Sequence, residues 1–165
     1  MRWPRPGWRS FAARWRVPAW ARTRRSRGIL LAALVLLPLW WFGARGERRY
    51  WPRSDVLDAI RFVESSDRDD VPDGDGGRAI GPYQIHRVYW QDAVAFDADV
   101  GGDYAQCRQR AYAERVIDAY MRRYAKVAWD GGEAEVIARI HNGGPQGQQN
   151  PKTDGYWQRV RARLP

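Results

Sequence analysis

At 165 residues the chain has room for one domain of ordinary size, and its single cysteine, Cys107, excludes an intramolecular disulfide and a Cys-ligated zinc site. The net charge of +9 is unevenly spread: residues 1–27 carry nine arginines and no acidic residue, which leaves 19 Lys+Arg against 19 Asp+Glu in residues 28–165. A body without a basic excess lacks the face that binding a nucleic-acid duplex needs, so no nucleic acid is expected as a partner.

Residues 1–27 read as a basic cytoplasmic tail. Residues 28–44 follow without a single charge, and Ile29 to Phe42 within them is mostly aliphatic. As a helix these seventeen residues would span roughly 26 Å at about 1.5 Å per residue, a little short of a hydrocarbon core of about 30 Å. Arg22, Arg24, Arg25 and Arg27 precede the run, and Trp40, Trp41 and Phe42 close it at the far interface. The positive-inside rule keeps the arginines in the cytoplasm and sends the body across. A single-pass transmembrane signal anchor is therefore expected in the cytoplasmic membrane. The alternative is a signal peptide cleaved near Ala44-Arg45-Gly46, which would leave the body secreted.

Residues 45–53 read as a linker, and the body is expected over residues 54–165. Ser54 is a candidate N-cap. Val56, Leu57, Ile60 and Val63 follow a helical period that places Glu64 in the last turn of a short helix. Ser65 to Arg78 is rich in Asp and Gly and predicts turns, with room for one tight hairpin. Gly81-Pro82-Tyr83-Gln84-Ile85 leads into a second helix over about His86 to Phe96. After Gly101-Gly102, Asp103 caps a long predicted helix to about Lys126. Its apolar stripe is Tyr104, Cys107, Ala111, Val116, Tyr120, Tyr124 and Val127, and a lone cysteine on such a stripe reads as a small buried apolar residue. A shorter helix over Glu133 to His141 stops at Asn142-Gly143-Gly144-Pro145. Thr153 caps a last helix with Tyr156, Trp157 and Val160 on one side. The sum is a compact, mainly α domain with a small irregular or hairpin lobe.

The residues that can do chemistry are carboxylates. Cleaving a glycosidic bond needs one carboxyl kept protonated by apolar surroundings, to donate to the leaving oxygen. It needs a second that stays ionised as nucleophile, base or electrostatic stabiliser. Glu64, beside Phe62 and Val63 at a helix end, suits the first role. Asp75, eleven residues on in a glycine-rich loop, suits the second. The rival reading of the aspartates is a calcium loop through Asp67, Asp69, Asp73 and Asp75. Counted from Asp67, however, the sixth and twelfth positions hold Pro72 and Arg78, where a calcium loop of the EF-hand type needs glycine and glutamate. No metal and no cofactor are expected. A Ser–His hydrolase has no Gly-x-Ser-x-Gly elbow to stand on.

Four landmarks, in order, add a resemblance. They are Val63-Glu64-Ser65; Gly81-Pro82-Tyr83-Gln84-Ile85 with Tyr89-Trp90-Gln91-Asp92-Ala93; Tyr120-Met121-Arg122-Arg123-Tyr124-Ala125; and Ile140-His141-Asn142-Gly143-Gly144-Pro145 with Gly155-Tyr156-Trp157. From about Val56 to Trp157 the chain resembles the invertebrate-type (destabilase-like) lysozymes, in a cysteine-poor bacterial form. The resemblance implies a lysozyme-like α+β fold. It also implies hydrolysis of the β-1,4 bond between N-acetylmuramic acid and N-acetylglucosamine in peptidoglycan, with glycan strands as partner; separately, the chain is expected to be a monomer. It carries the family's catalytic glutamate onto Glu64 and its catalytic aspartate onto Asp75, with Asp73 as second choice. Tyr83, Gln84, Ile85, His141 and Asn142 are then expected along the sugar cleft, the last two alternatively as a packed histidine and a C-cap. Two other functions remain open: a lytic transglycosylase using Glu64 alone, and a non-catalytic peptidoglycan-binding module.

Overall fold

A computed structural model describes residues 50–165. The expected tail and the transmembrane segment 28–44 lie outside the described residues, and among those described no helix is long and apolar enough to cross a membrane.

The first helix, α1 (Arg53–Ser65), begins one residue before the predicted cap. Pro52 is the N-cap, without a side-chain hydrogen bond, and Ser54 lies inside the first turn. The expected linker is accordingly shorter: the Trp51 amide donates to the Gly132 carbonyl at 3.0 Å, and the Arg53 guanidinium reaches the Trp129 carbonyl and Asp130. Val56 and Ile60 are fully buried. Their β-branches disfavour a helix by a few tenths of a kcal/mol each, whereas burial stabilises each by about 1.5–3 kcal/mol, so packing decides the conformation. The helix ends at Ser66, whose φ of 53° is left-handed.

The Asp-rich segment that follows contains no regular element until Gly74 bridges to Ala79. A short antiparallel pair, β1 (Ala79–Ile80) and β2 (Ile85–His86), then forms the only sheet among the described residues, in the register Ala79 to His86 and Ile80 to Ile85. Helix α2 (Arg87–Phe96) starts directly from β2.

The predicted long helix is broken. Residues Tyr104–Arg108 form a 3-10 turn under a capping box between Asp103 and Gln106, and Gln109 is extended before α3 (Arg110–Tyr124) begins. The turn's 3-10 winding buries Tyr104 and Cys107. It leaves Ala111, which a continuous helix would have buried, facing solvent. Val127 is likewise 81 % exposed, because the chain turns at Ala125 into a separate helix α4 (Lys126–Gly131). Cys107 is buried as expected, and burial pushes its thiol up to about 12.

Helices α5 (Ala134–Gly143) and α6 (Asp154–Arg161) complete the body. Gly144, at φ 74°, terminates α5 where the sequence placed its stop. Helix α3 lies at the centre: Val116, Ile117, Ala119 and Met121 are fully buried, and α2 and α5 pack against it. Helix α6 packs on α1 and α5 through Tyr156 and Val160. The mainly helical fold with one small sheet is thus the class the sequence predicted.

Candidate active site

The ends of α1 and α5, the hairpin, α2 and the loop before β1 enclose an open cleft with about 290 Å³ of solvent space. Glu64, Asp75, Gln84, Ile85, His86, Tyr89, His141 and Asn142 are on its walls.

Glu64 enters from the last turn of α1, and its side chain is only 18 % exposed. Loss of water around the carboxylate disfavours the charged form, so burial raises its pKa above the usual 4.5. A hydrogen bond from Tyr156 and the charge of Arg159 oppose that rise without cancelling it. The Tyr156 hydroxyl donates to Oε1 of Glu64 at 2.7 Å. His141 Nε2 stands 3.9 Å from the same oxygen, too far for a hydrogen bond.

His141 has its own partner. Its Nε2 lies 3.2 Å from the Tyr83 carbonyl, which only accepts, so Nε2 carries the proton and Nδ1 is bare. The side chain is 4 % exposed, and burial lowers its pKa from 6.5 to about 4. The imidazole beside Glu64 is therefore neutral and places no cation against the acid. A stability consequence follows from the sign. The unfolded chain takes up a proton at this histidine below about pH 6.5, while the folded one resists until about pH 4. The contribution of His141 to stability is thus full above pH 6.5 and is lost as the pH falls toward 4, by about 3 kcal/mol in all. His141→Gln is expected to flatten that part of the stability–pH curve, measured by urea unfolding between pH 4 and 7; an unchanged slope would assign the acid sensitivity elsewhere.

Asp75 lines the same cleft, and its side chain is 48 % exposed. Arg78 donates to its Oδ1 at 2.7 Å, and His86 Nε2 lies 3.7 Å from Oδ2. Its backbone is left-handed, φ 48°, and Gly76 and Gly77 continue at 66° and 88°. Aspartate tolerates that region better than most residues, and the glycines enter it without steric cost. Asp73 is held elsewhere: Arg108 donates to its Oδ2 at 2.6 Å, and it does not line the cleft. Asp67 pairs with the buried Arg61, so the acidic residues of the loop are spread over separate arginines. Among the described residues no cluster suited to a metal ion forms.

The expected sugar-contacting residues divide. Ile85 and Asn142 line the cleft. Gln84 does as well, but its Nε2 donates to the Gly81 carbonyl at 2.9 Å, tying down the hairpin turn. Tyr83 does not: its side chain is fully buried and its hydroxyl donates to Glu114 at 2.8 Å. The turn from Gly81 sends that ring into the core, and Tyr83 serves the site only through the carbonyl that orients His141. Three contributors were not singled out from the sequence. His86 and Tyr89 share the cleft with His141, and Tyr156 reaches Glu64 from ninety-two positions away. The signal for Tyr89 and Tyr156 lay in the landmarks Tyr89-Trp90 and Gly155-Tyr156-Trp157, which mark positions but not contacts, and His86 lay between the two parts of the second landmark.

Residues 56–163 match the profile of the family described as Destabilase. The chain belongs to the Destabilase family. Lysozyme 1 of Crassostrea virginica is 43% identical over 83 residues, which is 50% of this chain and 43% of that protein. A lysozyme of Meretrix lusoria is 37% identical over 86 residues, 52% of this chain and 67% of that protein. The chain therefore spans less than half the length of the Crassostrea relative. A chain in the crystal structure of Aeromonas hydrophila PliI in complex with Meretrix lusoria lysozyme superposes with a TM-score of 0.56 and 33% identity, covering 68% of this chain and 89% of that one. The destabilase domain here thus has the lysozyme-like architecture without a disulfide, since Cys107 is its only cysteine.

Proposed function

We propose that this destabilase-family chain is a peptidoglycan hydrolase of the lysozyme type, with Glu64 as general acid and Asp75 as its charged partner. One observation carries the reading: a carboxyl whose pKa burial raises shares a cleft with a half-exposed carboxylate in a polar setting. The names of the relatives support the same substrate class. In the first step Glu64 gives its proton to the glycosidic oxygen, the bond from C1 to that oxygen breaks, and Asp75 attacks or stabilises the oxocarbenium-like centre. Water then adds at C1, displacing the Asp75 carboxylate where it has bonded there, while the Glu64 carboxylate takes up the water's proton. Ile85, His141 and Asn142 line the cleft with Glu64 and Asp75. In this reading residues 28–44 anchor the domain outside the cytoplasm, which the arginine-only tail supports.

The test is digestion of purified sacculi followed by mass spectrometry of the released muropeptides. Hydrolysis is expected to give reducing ends, and Asp75→Asn to lower the rate by about 100-fold while Asp73→Asn stays within about threefold of wild type. Anhydro products, with both aspartate variants active, would instead establish a lytic transglycosylase. Binding of sacculi without release of soluble fragments would leave a binding module.

A further inference from the structure

The environment of Glu64 is lopsided. The Tyr156 hydroxyl and His141 Nε2 both stand at Oε1, at 2.7 and 3.9 Å, and Oε2 has no hydrogen-bond partner among the described residues. The Tyr156 hydroxyl, in turn, has no other partner among the described residues, and its residue is only 3 % exposed. A buried phenol with one acceptor in reach has one use for its proton.

Resting on the reading of Glu64 as the acid, we propose that Tyr156 is a positioning residue that decides which oxygen of Glu64 carries the transferable proton. A neutral carboxyl has one good acceptor, its carbonyl oxygen. A donor fixed at Oε1 makes that oxygen the carbonyl and leaves the O–H on Oε2, the oxygen with no protein partner. Proton transfer then runs from Oε2 to the glycosidic oxygen. The electrons of the breaking bond stay on the departing sugar, and Glu64 is left as a carboxylate. At that moment the Tyr156 hydrogen bond becomes charge-assisted and roughly twice as strong, so it stabilises the product of the transfer more than its start. His141 cannot substitute, because its one proton is committed to the Tyr83 carbonyl. The other ionisable groups around Glu64 are Arg159 on α6, Tyr89 on α2, and Asp75 and His86, which line the same cleft. None of them is placed to choose between the two oxygens by a hydrogen bond. Tyrosine is needed where phenylalanine would pack equally well, and only the hydroxyl distinguishes them.

The experiment is Tyr156→Phe in the full-length protein, followed by carbon-13 NMR titration of the glutamate carboxyls. The Glu64 resonance is identified by its absence from Glu64→Gln. Loss of the donor is expected to move the Glu64 midpoint up by about one pH unit. The alkaline limb of the kcat/KM profile on sacculi should move by the same amount, and kcat at the optimum should fall about tenfold. An unmoved midpoint would overturn the proposal. A lowered midpoint would also overturn it, because the carboxyl would then be the donor and Tyr156 the acceptor. Should Tyr156→Phe fail to fold, difluorotyrosine at position 156 supplies a stronger donor, and the midpoint must then fall. A wild-type protein that leaves sacculi intact would defeat the enzymatic reading, while the titration would still decide what Tyr156 does to Glu64.

Discussion

Replacing Glu64 by glutamine is expected to cut sacculus lysis by about 1,000-fold and, at the same time, to raise the melting temperature at neutral pH. Both effects have one cause. Burial raises the Glu64 pKa, so holding the carboxylate in the folded protein is unfavourable relative to the unfolded chain. Below the unfolded value near 4.5 both states are protonated and the penalty is absent. It grows as the pH rises past that value and is complete above the folded pKa. Glutamine keeps the shape and still accepts from Tyr156, but it never ionises. The difference in melting temperature between Glu64→Gln and wild type should therefore be near zero at pH 4, widen as the pH rises, and level off once the folded carboxyl has ionised. Calorimetry over that range, beside turbidity of a sacculus suspension, measures both. A variant that still lyses sacculi would remove Glu64 from the chemistry, and a pH-independent difference would remove burial as the cause of its raised pKa.

That coupling between burial and acidity was partly legible in the sequence. The α1 periodicity of Val56, Ile60 and Val63 placed Glu64 at a helix end near an apolar face, and Asp75 followed in a segment whose glycines announce a turn. Local patterns could not say what covers the carboxyl, because Tyr156 and His141 come from α6 and α5, far along the chain. The failure at α3 has a similar origin. The apolar spacing from Tyr104 to Val127 fits one helix, but the hairpin turn packs directly on the backbone of Cys107 and Arg108. The chain tightens there into a 3-10 turn, so tertiary packing overrides a sound local pattern. Tyr83 illustrates the limit for site residues. A sequence landmark fixes the position of the turn, while the direction of the ring depends on Glu114 of α3, which holds its hydroxyl.

The hairpin turn also sets the second large effect, the one expected of Gly81→Ala. Gly81 has φ 74°, and a methyl group there would lie 2.1 Å from the Cys107 carbonyl oxygen and 2.8 Å from the Arg108 Cα. The left-handed backbone alone costs an alanine about 1–2 kcal/mol, and the overlap adds about 1–3 kcal/mol because backbone atoms, unlike a side-chain tip, cannot swing aside. A loss of about 3–4 kcal/mol, or a fall in Tm of more than about 10 °C, is expected in thermal unfolding. Gly76→Ala is the matched control: its φ is 66°, but nothing lies within 4 Å of the new methyl. It should therefore show the backbone cost alone, about 1–2 kcal/mol. Equal melting temperatures for the two variants would refute the close approach of the hairpin to the 3-10 turn. The consequence reaches the cleft as well. The same turn carries the Tyr83 carbonyl that orients His141, and Gln84 and Ile85, which line the cleft with Glu64. A Gly81→Ala protein that remains folded should therefore lose activity on sacculi through a misplaced wall, even though Glu64 and Asp75 are intact.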